Sequence, residues 1–163
     1  YIEDDAYVTA HEIKAKCRRL AYSHKGLGLV VIDYLQLVTT GGRVESRQVE
    51  VSEISRAFKT MAMELKVPVI ALAQLSRNAE RRESNQPRLA DLRESGSIEQ
   101  DADLVLFLNR QDYFETKTAE NKSNIVPVDV IIAKHRRGST GLFQILFELN
   151  KSCFKPYSPM EEI

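Results

Sequence analysis

A cluster of basic side chains ends an apolar run near the carboxyl end of the chain. The cluster consists of Lys134, His135, Arg136 and Arg137. Lys134 and Arg136 stand two positions apart, so on a strand both side chains project from the same face. A guanidinium and an ammonium that point the same way suit phosphate oxygens. The pattern predicts an anion site if other motifs support it, and the simpler alternative is a solvated basic hairpin.

Two polar residues follow two apolar runs that are typical of buried strands. Asp33 follows Leu29–Ile32, and Gln74 follows Val69–Leu72. Open α/β sheets bind ligands beyond the carboxyl ends of their strands, where a carboxylate can orient hydrated Mg²⁺. A neutral amide there can sense a terminal phosphate or position water. Either residue alone is explained as a polar residue at the end of a strand. Only the two together therefore indicate a ligand site.

The segment between the second and third apolar runs is long, polar and rich in arginine. It extends from Arg77 to Arg93, and loops of this length in compact domains are usually functional. Ser95 and Gly96 then form a turn before a predicted short helix, a geometry whose amide groups favour phosphate oxygens. Acidic residues after the turn argue against a purely electrostatic role.

The elements that must position these residues follow from hydrophobic periodicity. A capping box at Thr9 predicts a helix from Ala10 to Tyr22, and one apolar stripe predicts a second helix from Ser46 to Lys66. A third strand is expected at Leu104–Leu108. Val128–Ala133 and Leu142–Leu149 are expected to pair as a hairpin. We therefore predict an α/β fold with a mostly parallel sheet, flanking helices and a C-terminal β-hairpin.

Composition limits the chain to one domain or part of one. It has 163 residues, of which 43% are hydrophobic, with 23 basic and 23 acidic residues. We expect one domain portion over residues 1–157 and a flexible tail at 158–163. The start without Met suggests a fragment. Overall charge gives no sign of nucleic-acid binding, so local clusters must support any such function.

The spacing of the cysteines and the hydropathy of the sequence are used to predict the cellular compartment. Cys17 and Cys153 lack metal-binding spacing, and neither a signal peptide nor a long apolar span is present in the sequence. We expect a reduced, cytoplasmic protein with no membrane partner.

Four strings together resemble the DnaB family of bacterial replicative DNA helicases. They are VVIDYLQLV, VPVIALAQLSR, RLADLRESGSIEQDADLVLFL and IIAKHRRGSTG, in this order. The resemblance implies part of a RecA-like P-loop NTPase fold, in the C-terminal portion of the motor domain. It implies a homo-hexameric ring that uses ATP and Mg²⁺ to move on single-stranded DNA and unwind duplex, with primase and a helicase loader as partners.

The resemblance also implies roles for individual residues. Asp33 corresponds to the Walker B carboxylate, which approaches Mg²⁺ through water, and Gln74 couples the phosphate state to the DNA loops. Lys134 and Arg136 reach the γ-phosphate held by a neighbouring subunit, with Arg136 as the arginine finger. The residues implied in DNA binding are Arg93, Glu94 and Gly96, together with Arg77 in the arginine-rich segment. The Gly41–Gln48 loop is a second element expected to face the pore.

The sequence departs from the family pattern in the finger motif. His135 stands where Gln is expected, and Arg137 stands where Asn is frequent, so Arg137 competes with Arg136 for the finger role. Two further functions stay open: a RadA-type recombination or repair ATPase, and a RecA-like binding module without a phosphate loop. A phage-encoded or primase-linked helicase is a third variant that no residue favours.

The 163 residues contain no Gly-x-x-x-x-Gly-Lys-Ser/Thr phosphate loop. We therefore predict that the isolated chain neither binds ATP tightly nor hydrolyses it, because nothing in it cradles the triphosphate. An ATPase assay on the purified chain checks this, and measurable turnover would contradict it.

Overall fold

Helix α1 forms where the sequence supplies its own cap. In the computed structural model it spans Ala10–Ala21, and the capping box is complete. The Glu12 N–H donates to Thr9 Oγ1 at 3.2 Å, and the Thr9 N–H donates to Glu12 Oε2 at 2.8 Å. Both amides belong to the group that a helix cannot satisfy internally, so the pair fixes where α1 begins.

Helix α2 spans Arg47–Leu65 and supplies four of the nine buried residues in the hydrophobic core cluster of unit 1. Ser46 caps its start by accepting from the Val49 N–H, and Lys66 ends it in the left-handed conformation at φ 54°. The predicted stripe is confirmed: Val51, Ile54, Phe58 and Met61 are buried, and Leu65 packs against them. Pro68 lies two residues after Lys66, and a helix does not continue through such a proline.

The structure describes residues 1–5, 7–23, 26–76, 86–110 and 123–157, with only the backbone at 93–96. The chain divides into two compact units. Unit 1 comprises residues 1–78 and 89–102, and unit 2 comprises residues 79–88 and 103–163. Residues 158–163, predicted to be a flexible tail, lie outside the described part.

Unit 1 contains a parallel pair of strands joined through α2. Strand β1 (Val30–Ile32) pairs with β2 (Val69–Ala71) so that Ile32 is opposite Ala71. A 3₁₀ helix at Leu35–Leu37 follows β1. A second 3₁₀ helix at Leu89–Ser95 runs into the short helix α3 (Gly96–Asp101), whose Ile98 packs on the same core. The core of unit 1 is formed by Ala10, Cys17, Ile32, Leu35, Val38, Val51, Ile54, Phe58 and Met61.

The prediction that β1 is a buried strand holds for only one of its two faces in the described residues. Val31 is 57% exposed and its register partner Ile70 is 52% exposed. The core helices cover only the opposite face, which carries Ile32. A run of β-branched residues therefore indicated a strand here without indicating how many of its faces are covered.

Unit 2 is built on a four-stranded antiparallel sheet in the order β3-β4-β5-β6. Its strands are Leu104–Asn109 (β3), Ile125–His135 (β4), Gly141–Glu148 (β5) and Cys153–Pro156 (β6). The predicted hairpin is confirmed as β4 and β5, joined by residues 136–140. Strand β6 was not predicted; it follows a tight turn in which Ser152 has φ 49°.

The predicted α/β fold class is confirmed, but the described strands form a parallel pair and a separate four-stranded antiparallel sheet where one mostly parallel sheet was expected. Among the described strands only β1 and β2 pair in parallel, and the other three pairings are antiparallel. Burial alternates along β3, with Val105 and Phe107 buried and Leu106 half exposed. Antiparallel strands typically show this pattern, which the apolar composition of the run concealed.

Glu64 joins α1 to α2 and gives unit 1 a pH-dependent contact. Arg18 Nε donates to Glu64 Oε1 at 2.6 Å, and Lys14 Nζ lies 2.9 Å from Oε2. The Arg18 hydrogen bond and then the Lys14 hydrogen bond lower the pKa of Glu64 from 4.5 to about 2. Because the folded pKa is the lower one, this contribution is complete above pH 4.5 and is lost as the pH falls towards 2.

We predict that Glu64→Gln lowers the free energy of unfolding slightly at neutral pH and reduces its decline between pH 4.5 and 2. Urea unfolding of the chain across this range measures both effects. Glu53→Gln, an exposed change on the same helix, is the control. Equal pH dependence in the two variants would contradict the assignment.

Candidate functional site

Asp33 and Gln74 lie at the same edge of the parallel strand pair. Asp33 follows the last residue of β1, and Gln74 lies three residues beyond Ala71, the end of β2. The Leu72 N–H donates to the Ile32 carbonyl at 2.9 Å, which continues the pairing past the strands. Both Asp33 and Gln74 are exposed. Their functional groups are therefore accessible at the carboxyl end of the sheet, where ligands of α/β folds bind.

Asp33 fits a water-mediated contact with Mg²⁺ better than a direct protein site. Within the described ranges, no group of three or more His, Cys, Asp and Glu side chains is arranged to hold a metal ion. Mg²⁺ commonly keeps several waters and uses one or two carboxylates together with substrate phosphates. A single exposed carboxylate such as Asp33 suits that mode.

Gln36, which the sequence patterns did not indicate, forms side-chain hydrogen bonds with the backbone of Gln74. Its side-chain Nε2 donates to the Gln74 carbonyl at 3.1 Å, and its Oε1 accepts from the Gln74 N–H at 3.2 Å. Gln36 lies within the 3₁₀ helix three positions after Asp33. The spacing from Asp33 was visible in the sequence, but the pairing with Gln74 required the fold.

Arg47 at the start of α2 holds the same 3₁₀ segment from the other side. Its Nη2 donates to the Gln36 carbonyl at 2.7 Å, and its guanidinium also contacts the Val38 carbonyl at 3.4 Å. Arg47 also forms an ion pair with Glu50. Glu50 Oε1 accepts from the Thr40 N–H at 3.1 Å, and this bond, then Arg47, lowers the pKa of Glu50.

A small cleft lies beside these residues in unit 1. It has a volume of about 90 Å³ and is lined by Gln36, Arg47, Val51, Gln74, Leu75, Ser76, Asp91 and Leu92. The Ser76 N–H donates to the Asp91 carbonyl at 3.1 Å, which ties the segment after β2 to the 3₁₀ helix at Leu89–Ser95. The backbone after Gln74 is therefore anchored on two sides.

The residues implied in DNA binding are only partly described. The backbone of Arg93 and Glu94 lies in the 3₁₀ helix, and Gly96 is the first residue of α3. The predicted turn before α3 is thus itself helical. Arg77 lies outside the described residues. The predicted pore-facing loop, Gly41 to Gln48, overlaps α2, so its non-helical part is residues 41–46.

Lys134 and Arg136 lie at the end of β4 in unit 2. Lys134 pairs with Val105 of β3, and the Arg136 N–H donates to the Asp103 carbonyl at 2.8 Å, so the pairing continues past the strand. Because the pairing continues to Arg136, strand alternation predicts that the two basic side chains lie on one face. Arg136 Nη1 also lies 3.3 Å from Asp103 Oδ1, in a pair whose side chains are 48% and 63% exposed.

A β-bulge determines on which face of the sheet the two basic residues lie. Leu106 pairs with Ile132 while the adjacent Val105 pairs with Lys134, so Ala133 is an extra residue in β4. Without the bulge, Lys134 would lie on the face of Ile132; with it, Lys134 lies on the face of Ile131. Nothing in the local sequence indicated this change of face.

No helix in the described part of the chain is long and apolar enough to cross a membrane.

Comparison with known proteins identifies the family. The family "DnaB-like helicase C terminal domain" matches residues 1–156. This chain belongs to the DnaB-like helicases. Nucleotide use is a property of this family of helicases.

Curated relatives agree with that membership. The replicative DNA helicase DnaB of Geobacillus stearothermophilus is 55% identical over 154 residues, which cover 93% of this chain and 33% of that protein. The replicative DNA helicase DnaC of Bacillus subtilis (strain 168) is 54% identical over 154 residues, with 93% and 33% covered. The chain spans about a third of the length of these relatives.

Solved structures of DnaB-like proteins confirm the RecA-like fold. A solved ATPase domain superposes with a TM-score of 0.84 at 44% identity, covering 95% of this chain and 54% of that one. The structure of a DnaB-like replicative helicase and its interactions with primase gives a TM-score of 0.78 at 47% identity, covering 90% and 35%.

His135 rests against Gly138 across the turn after β4. A Cβ placed on Gly138 would overlap the imidazole ring of His135, whereas one on Gly141 would meet nothing within 4 Å. In this DnaB-like chain, a residue without a side chain at 138 thus lets His135 fold over the turn that carries Arg136 and Arg137.

We predict that Gly138→Ala displaces the His135 ring, because the new methyl group occupies its place. The Cε1–H resonance of His135 in two-dimensional NMR should shift, and Gly141→Ala should leave it nearly unchanged. Both variants should keep the free energy of unfolding within about 1 kcal/mol of the parent, as exposed substitutions usually do. An unshifted resonance in Gly138→Ala would contradict the contact.

Proposed function

We propose that this chain is the C-terminal part of the motor domain of an ATP-dependent replicative DNA helicase. The proposed protein is a homo-hexameric ring that moves on single-stranded DNA and unwinds the duplex at the replication fork. The observation that carries the proposal is the pairing of β4 with β3, which fixes the backbone of Lys134 and continues to Arg136, in a chain that matches the DnaB-like domain over residues 1–156.

The proposed active site is shared between subunits. Arg136 reaches the γ-phosphate of ATP bound to the neighbouring subunit, and Lys134 approaches the same phosphate. Asp33 faces the nucleotide of its own subunit and approaches Mg²⁺ through water; when bound, that ion neutralises charge on the phosphates. Gln74 senses whether the γ-phosphate is present. A guanidinium supplied in trans stabilises the charge that develops during phosphoryl transfer.

The ion pair with Asp103 does not prevent Arg136 from acting as a finger. Both side chains are about half exposed or more, and an exposed pair of this kind contributes little free energy. A triphosphate offers more negative charge and a bidentate geometry that suits a guanidinium. Arg136 therefore exchanges Asp103 for phosphate at low cost when a neighbouring subunit brings the nucleotide close.

Single-stranded DNA is the proposed polymer substrate. Arg93, Glu94 and Gly96, with Arg77, form the proposed DNA-contacting segment, in which backbone amides bind phosphates. Contacts of this type position the strand without reading its sequence, which suits a motor that must pass over any sequence. Primase and a helicase loader are the proposed protein partners; a solved relative is described in its interactions with primase. The proposed location is the cytoplasm.

Two alternatives are weaker. A RadA-type recombination or repair ATPase shares the Lys-x-Arg element, but the matching relatives are named replicative helicases. A RecA-like binding module that lends its finger to another motor is compatible with the missing phosphate loop. The residues upstream of Tyr1 distinguish a motor from such a binding module, because a phosphate loop there means a motor.

The test uses the full-length helicase of which this chain is proposed to be the C-terminal motor part. We predict that Arg136→Ala lowers DNA-stimulated ATP hydrolysis by on the order of a thousandfold, the scale of an arginine finger. Arg137→Ala is the matched control on the adjacent residue and should retain activity. Loss of activity only with Arg137→Ala would overturn the assignment.

Mixed rings test whether the finger acts in trans. Subunits carrying Arg136→Ala are mixed with subunits carrying Asp33→Asn, under conditions in which labelled subunits exchange. Some interfaces then combine an intact Asp33 with an intact Arg136, so activity should exceed that of either variant alone. Exchange without recovery would contradict a shared site.

A further inference from the structure

We propose that Gln36 is a positioning residue that fixes the backbone of Gln74 and links it, through Arg47, to residues 41–46. This inference rests on the proposed role of Gln74 as the sensor of the γ-phosphate. It adds a physical connection between that sensor and the segment at the start of α2.

The Gln36 side chain takes the place of a neighbouring strand. Regular pairing between β1 and β2 ends at Ala71, and the Leu72 N–H and carbonyl are still satisfied by main-chain groups of Ile32 and Leu35. Further along, the partner of the Gln74 N–H and carbonyl is the Gln36 carboxamide. The backbone of Gln74 is thereby held beyond the end of the sheet, and Gln74 is exposed.

Only a carboxamide fits this position well. It presents one acceptor and a donor in the same plane, as a peptide group does, and Gln36 uses both on one residue. An ionised Glu keeps only acceptors and would face the Gln74 carbonyl with negative charge. Met has nearly the same length and offers neither hydrogen bond.

The connection continues from Gln36 to α2. Arg47 donates to the Gln36 carbonyl at 2.7 Å, so the backbone of the residue that holds Gln74 is itself held by α2. Because Gln36 lies in a one-turn 3₁₀ helix, a shift of its side chain and a shift of its carbonyl are mechanically coupled. Movement of Gln74 is transmitted to Arg47 through a single residue.

Arg47 and Glu50 bracket residues 41–46. Glu50 accepts from the Thr40 N–H just before this segment, and Arg47 follows it directly. The Arg47–Glu50 ion pair joins the two ends. A displacement that reaches Arg47 therefore changes the geometry at both ends of residues 41–46, the loop expected to face the pore.

The experiment compares Gln36→Met and Gln36→Glu in the full-length helicase, with Thr60→Val as control. Thr60 is an exposed α2 residue whose hydroxyl donates to the Arg56 carbonyl, so its change also removes a side-chain to backbone hydrogen bond. ATP hydrolysis is measured with and without single-stranded DNA. DNA affinity is measured with ADP and with a non-hydrolysable ATP analogue.

We predict that Gln36→Met leaves basal hydrolysis and the KM for ATP within about twofold but lowers DNA stimulation roughly tenfold, the loss expected from one or two neutral hydrogen bonds. The difference in DNA affinity between the two nucleotide states should shrink by a similar factor. Gln36→Glu should show the same split, and Thr60→Val should match the parent.

The outcomes separate this inference from the function on which it rests. If Gln74→Ala abolishes DNA stimulation while both Gln36 variants retain it, the linking role of Gln36 is wrong and the proposed function stands. If Gln74→Ala also retains it, the sensor role fails and this inference fails with it. Equal loss of basal and stimulated hydrolysis in both Gln36 variants would show a merely structural role and overturn the proposal.

Discussion

The parallel pairing of β1 with β2 is the constraint on which the candidate site depends. Parallel strands bring their carboxyl ends to one edge, so Asp33 and Gln74, 41 positions apart in sequence, lie at the same boundary of unit 1. The pairing also sets the start of the 3₁₀ helix that carries Gln36. A shift of the register by one residue would reverse the faces of β2 and move Gln74 away from the Gln36 carboxamide.

The proposed role of Arg136 sets a different requirement for unit 2, because a side chain that is to act across an interface must be both fixed at its base and exposed at its tip. Pairing of β4 with β3 fixes the backbone as far as Arg136. The bulge at Ala133 sets the face, and the turn with Gly138 accommodates His135. The proposed chemistry then uses the Arg136 side chain, which is 48% exposed.

The sequence predicted those features that short-range physics determines. Capping at Thr9, the stripe along α2 and the β4–β5 hairpin each depend on residues close together in the chain, and each is confirmed. The exposed face of Val31, the antiparallel neighbour of β3 and the bulge at Ala133 depend on which segments meet in space. Residue type at those positions fits either arrangement, so periodicity could not distinguish them.

The difference between short-range patterns and contacts formed in the fold explains why the sequence indicated Asp33 and Gln74 but not Gln36. Asp33 and Gln74 each follow an apolar run, and the two together suggest a ligand at the carboxyl edge of the sheet. Gln36 acts only through main-chain atoms of another segment, and such a role leaves no mark in the spacing of one sequence. The Gln74 N–H and carbonyl lie beyond the last paired residues of the strands and still need hydrogen-bond partners. The Gln36 side chain, with one donor and one acceptor, satisfies both.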